Sequence, residues 1–173
     1  MNKKAAKYLG LARIALGSIF LWAFFDKLFG LGFSTCRDPK TDVVNTMCEK
    51  AMINGGSPTS GFLKGATHGP FADFYQSMAG SQLVDILFMS GLLLIGIALV
   101  LGIGIKLATL FGSLLMLMMW SSMLPPENNP ILDEHIVYIL VLLAIGAANA
   151  DQKFGLRSWW IKLPTVKRLP VLQ

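Results

Sequence analysis

Hydrophobic and polar positions along the chain fall into long apolar stretches separated by polar punctuation. From about residue 6 to 29, in "AKYLGLARIALGSIFLWAFFDKLF", charge stands only toward the ends, at Lys7, Arg13, Asp26 and Lys27. Residues 83–101 carry Asp85 at the front and then no charge until Lys106, and residues 107–124 carry none. A fourth stretch covers 130–150. A hydrocarbon core of about 30 Å takes about 20 apolar helical residues, so four spans are predicted, at 6–29, 83–101, 106–124 and 130–150. The fold class expected is all-α: a single membrane domain over residues 1–173, built as a four-transmembrane-helix bundle. "GIGIK" between the second and third spans predicts a tight antiparallel hairpin.

Residues 30–82 form the one long polar stretch, and its composition changes along its length. Residues 34–53 are charged and hold both cysteines, "NGGSPTSGFLKGATHGPF" is rich in Gly, Ser and Thr, and "FADFYQSMAG" has the pattern of a short amphipathic helix. A connection of this length is more often folded or functional than idle. The last connection, "SSMLPPENNP", has the grammar of a helix start, with Asn129 as N-cap, Pro130 at the first helical position, and Asp133 and Glu134 near the positive end of the helix dipole. Small residues four apart, Ala6 and Gly10, Ala98 and Gly102, Ala108 and Gly112, Ala144 and Ala148, offer close helix approach in lipid.

Composition agrees with a membrane chain: 54% of residues are hydrophobic, 14% charged, and mean hydropathy is +0.58. Charge adds orientation. With the N-terminus inside, ten Lys and Arg but only Asp151 among the acids fall on the inner side, against five bases and nine acids outside. The positive-inside rule then places both termini in the cytoplasm, the 30–82 loop outside and the tail 151–173 inside, in the cell membrane. The net charge of +5 is accounted for by this topology and by attraction to anionic inner-leaflet lipid, and nucleic acid is not an expected partner. A signal-peptide reading of residues 1–35 is the weaker alternative, because the apolar stretch is long and Asp26 and Lys27 interrupt its end.

Topology collects ionisable residues at the outer end: Asp26 and Lys27 end span one, Asp85 begins span two, and Asp133, Glu134 and His135 begin span four. Such groups at bundle depth are costly and are site candidates, although a ring of interfacial charge that sets orientation is the plainer reading. Imidazole exchanges protons around neutrality, which makes His135 with an inward-pointing Asp26 the catalytic pair to test, while Lys27 snorkels outward. Trp22, Lys27, Asp133 and Trp120 are candidates for binding a quinone headgroup; interface belt and packing are the alternative for the two Trp. No close-spaced His/Cys set points to a metal. Arg13, if it turns inward, finds its natural partner in Asp151. Cys36 and Cys48 stand as a structural disulfide of an oxidising compartment, with a redox-active or free pair as the alternative; no Cys-x-x-Cys is present.

The motifs "RIALGSIFLWAFFDKLFG", "SPTSGFLKGATHGPFADFYQSMAG", "PPENNPILDEHIVYILVLL" and "GLRSWW" together resemble the DoxX family of small four-span membrane proteins, over most of the chain. The resemblance implies redox metabolism, and by way of the family's thiosulfate:quinone oxidoreductase members it implies quinone as cofactor and a partner subunit. It places Arg13, Asp26, Lys27, Asp133 and His135 at recurrent polar positions. The rival expectations are a noncatalytic scaffold or accessory subunit, and a small-molecule carrier.

Overall fold

The computed structural model describes residues 2–148 and 154–172, whose regular secondary structure is helical with no strands among them. Helix α1 runs Lys3–Phe29, opened by Asn2, whose side chain accepts from the Lys4 amide at 3.0 Å. Two short helices, α2 (Ser60–Gly65) and α3 (Ala72–Ser77), lie in the connection to α4 (Gln82–Leu101). Helices α5 (Ile105–Ser122) and α6 (Glu134–Ala147) follow, then α7 (Arg157–Trp160) and α8 (Pro164–Arg168). Among the described residues three helices, α1, α4 and α5, are long and apolar enough to cross a membrane. Helix α6 is apolar but has 14 residues, which is about 21 Å at 1.5 Å per residue.

The four apolar helices close around one core, α1 against α4, α4 against α5, α5 against α6 and α6 back against α1. Its centre is Leu16 and Phe20 of α1, Leu92 and Leu99 of α4, Met116 of α5, and Leu142 and Ile145 of α6. The side chains on the far faces are exposed apolar groups such as Leu94, Leu110 and Leu140, as expected where lipid rather than water is the surroundings.

The helix pairs approach through glycines, several of them outside the pairs singled out by four-residue spacing. A Cβ on Gly17 would lie 2.9 Å from the Val100 backbone nitrogen, and one on Gly96 would lie 2.7 Å from Leu21 Cγ. These positions set the α1–α4 crossing. In the α5–α6 pair, Gly146 lies against Thr109 and Gly112 against Leu142; of the expected pairs, Gly112 falls at this interface and Gly102 against Arg13 of α1.

At the hairpin end, fully buried Arg13 ties three segments together. Its guanidinium donates to the Leu99 carbonyl, to the Val100 carbonyl at 3.1 Å and to the Phe154 carbonyl at 3.2 Å. Helix ends leave carbonyls without intrahelical partners, and a fork of fixed N–H groups suits them. The expected partner, Asp151, lies outside the described residues.

The fourth helix starts later than its sequence grammar indicates. Asn129 Oδ1 does accept from the Ile131 and Leu132 amides, each at 2.9 Å, but this closes only a local turn. The N-cap is Asp133, whose Oδ1 accepts from the His135 amide at 3.0 Å and the Ile136 amide at 3.3 Å. The expected start at Pro130 is therefore corrected to Glu134; the expected end at 150 lies outside the described residues.

Candidate functional site

At the opposite end from the hairpin, two buried carboxylates bring the α1–α4 connection down onto the bundle. Asp26, 1% exposed, sits in the last turn of α1. Its Oδ1 accepts from the Phe33 amide at 2.9 Å, and its Oδ2 from the Ser34 amide at 3.0 Å and hydroxyl at 2.7 Å. The chain can double back here because Gly30 takes φ 64°, a left-handed conformation open to glycine; a Cβ there would collide with Cys36 Sγ.

Asp85, in the first turn of α4, does the same for the second part of the connection. Its Oδ1 accepts from Ser57 Oγ at 3.0 Å, the Thr59 amide at 3.1 Å and Thr59 Oγ1 at 2.6 Å. A carboxylate sunk in an apolar helix needs such donors, because unpaired buried charge is costly. Between these anchors Cys36 and Cys48 are joined in a disulfide with Cα atoms 5.7 Å apart. Tyr75 of α3 completes the attachment through a 2.6 Å hydrogen bond between its hydroxyl and that of Ser121 on α5.

Beneath this roof, between α4 and α5, lies a cavity of about 1030 Å³. Its upper rim is polar, with Lys27, Ser34, Glu49, Lys50, Ser57, Thr59 and Ser60; its walls are apolar, with Phe88, Leu94 and Ile95 of α4 and Phe111, Leu115 and Met119 of α5. Gly91 also lines it, and a Cβ there would meet nothing within 4 Å. Binding sites for small molecules have this character, mostly apolar with a few placed polar groups.

Of the residues selected from sequence, Lys27 lines the cavity, while Asp26 is one hydrogen bond behind it through Ser34. The expected pairing of Asp26 with His135 is not formed: the Asp26 carboxylate is turned to residues 33 and 34, and His135, 6% exposed, meets Asp133 instead, Nδ1 to Oδ2 at 2.8 Å. Lys27, expected to snorkel outward, has its Nζ on Ser34 Oγ of the connection at 3.1 Å and 5.9 Å from the centroid of the Phe88 ring. Trp22 packs edge-on against Phe33 at 4.9 Å, and Trp120 Nε1 donates to the Ile131 carbonyl at 2.7 Å. Neither Trp, nor Asp133 or His135, lines the cavity. Ser57, Thr59 and Gly91 were not selected from sequence, although Asp85 was the signal for the first two: its burial demanded hydroxyl or amide donors.

A second histidine fastens the roof to the α5–α6 connection. His68 is exposed, and its ring nitrogens face the Ala66 carbonyl at 3.0 Å and the Pro125 carbonyl at 3.1 Å. Only the imidazolium can donate to both carbonyls. The Pro125 and Ala66 carbonyls accordingly raise its pKa above the ordinary 6.5. A group whose pKa is raised on folding adds stability that is complete below its unfolded value and is lost as pH rises through the folded value. Amide exchange at residues 66–69 is therefore expected to quicken as pH rises from below 6.5 through the raised value, beyond the intrinsic pH dependence of exchange. His68→Gln is expected to abolish that excess, and an unchanged profile in the variant would refute this role for the ring.

Among the described residues no group of three or more His, Cys, Asp or Glu is placed to hold a metal. No family model, curated protein or solved structure matches the chain.

Proposed function

We propose that this chain is a multi-pass membrane protein of the DoxX type that acts as a redox-associated subunit by holding a membrane quinone or quinol beneath its α1–α4 connection. Helices α1, α4 and α5 with α6 constitute its four spans; the packing of α6 on α5 and α1 supports counting it with the others. The charge asymmetry of the sequence supports a cell-membrane orientation with both termini in the cytoplasm and the cavity roof outside.

The observation that carries the reading is the cavity, about 1030 Å³ with the Lys27 ammonium at its polar end and an apolar slot at the other. Its side chains fit the group: a quinone has carbonyl acceptors at its head and an apolar isoprenoid tail. When bound it supplies two-electron carrier chemistry, which the side chains lining the cavity do not have. The chain's own contribution is to orient the head with the Lys27 ammonium, to keep water off the tail with α4 and α5, and to hold the roof through Asp26 and Asp85, which take up the Ser34, Ser57 and Thr59 hydroxyl donors. Electrons come from a partner subunit, so the protein is one component of a larger complex.

Mass spectrometry of lipids extracted from the purified full-length protein is the test. Wild type is expected to retain quinone well above the level of a control membrane protein. Gly91→Trp, which places an indole in open cavity space, is expected to lose it while keeping its helix content and thermal melt. Quinone at background level in wild type would defeat the proposal; a stoichiometric partner without quinone would favour a noncatalytic accessory subunit.

A further inference from the structure

The position of Lys27 relates the two halves of the cavity. Its Nζ donates to Ser34 Oγ at 3.1 Å, and Ser34 Oγ in turn donates to Asp26 Oδ2 at 2.7 Å. An ammonium has three N–H donors. Ser34 takes one, and among the described residues no other protein acceptor lies within hydrogen-bond distance of Nζ. The stem is also fixed, because the charge stands over Phe88, a residue of the cavity wall. The remaining donors of Lys27 are thus held where the polar rim meets the apolar slot.

From that point the slot follows Phe88, Gly91 and Leu94 along α4. The rise from Phe88 to Leu94 is about 9 Å, which extends the slot well below the roof. Leu94 and Phe111, at its far end, are 65% and 54% exposed, so that end opens sideways on the outer faces of α4 and α5. An occupant therefore carries an oxygen acceptor at one end and a narrow apolar chain at the other, and reaches the site from the lipid side.

We infer that Lys27 is the headgroup-binding residue of this cavity, donating to an sp² oxygen of a tailed membrane amphiphile, with Ser34 and Asp26 as positioning residues behind it. The inference rests on the cavity being the binding site, as in the proposed function, and extends it by naming the recognition chemistry. Two sources share that chemistry: a quinone carbonyl and the carboxylate of a long-chain fatty acid.

The experiment uses the full-length protein in phosphatidylcholine nanodiscs, titrated with decyl-ubiquinone in one arm and a fluorescent polyene fatty acid in the other. Wild type is compared with Lys27→Met, Lys27→Arg and Ser34→Ala, each checked by thermal melt. The expected result is that Lys27→Met weakens binding of the accepted probe about tenfold or more, as for loss of a charge-assisted hydrogen bond. Lys27→Arg is expected to restore most of it, and Ser34→Ala to fall between. Quinone binding that depends on Lys27 supports both this inference and the proposed function. Fatty-acid binding alone, also dependent on Lys27, supports the inference and removes the quinone. Equal affinity in Lys27→Met and wild type, with equal melts, overturns the inference whichever probe binds, and binding of neither probe by wild type overturns it together with the site.

Discussion

Gly96→Val is expected to unseat α1 from α4 and to lower stability by about 3 kcal/mol, the upper range for overpacking a tight interface. A Cβ at this position would lie 2.7 Å from Leu21 Cγ, 2.8 Å from its Cδ2 and 3.0 Å from its backbone nitrogen. A side-chain tip could swing aside, but the backbone nitrogen of a helix cannot without moving α1 itself. The same crossing is pinned at its other end by Gly17 against the Val100 backbone, so a rigid tilt about Gly96 brings strain there as well. Gly112→Ala is the comparison, because its added Cβ would meet the flexible Leu142 side chain at 3.1 Å, and its effect is expected to be much smaller. Thermal melts of the purified variants decide the matter. A Gly96→Val protein that melts with wild type would mean that the crossing is not formed as described.

That this glycine, rather than a spaced small-residue pair, sets the crossing explains what the sequence could and could not convey. Length and apolarity made α1, α4 and α5 legible, and Asn129, Pro130 and Asp133 all announced a helix start. Which of two capping residues begins the helix depends on where the preceding turn packs, and Asn129 spends its side chain on a single turn. The interface glycines Gly17, Gly96 and Gly146 were not legible for a related reason. A lipid-facing helix is apolar on every side, so no polar face orients it, and a small residue gives no sign of whether it faces a neighbour or lipid. Lys27 and Asp26 stood out from sequence because charge in a span is costly, yet their partners, Ser34 for both and Phe88 for Lys27, belong to segments that only the fold brings near. His135 stood out equally, and its Nδ1 meets the N-cap residue two positions earlier rather than Asp26.

The same cost of buried charge makes Asp85 the residue whose loss the roof tolerates least. Asp85→Ala is expected to release residues 57–60 from α4 and to cost about 3 kcal/mol. Its Oδ1 alone collects Ser57 Oγ, the Thr59 amide and Thr59 Oγ1, and Thr59 is itself only 5% exposed. Truncation leaves the Thr59 amide and hydroxyl without their acceptor, and such groups either stay unsatisfied or pull the segment out toward water. The second course opens the cavity, because Ser57, Thr59 and Ser60 form its rim. Hydrogen exchange is therefore expected to quicken locally at 57–66, with residues 33–36 held by Asp26 unaffected, and any bound amphiphile is expected to be held less tightly. Asp85→Asn separates geometry from charge: its amide oxygen can accept from the same three donors, so a smaller loss is expected. If Asp85→Ala instead leaves exchange at 57–66 unchanged, this part of the roof is held by other contacts such as Tyr75, and Asp85 is not its anchor.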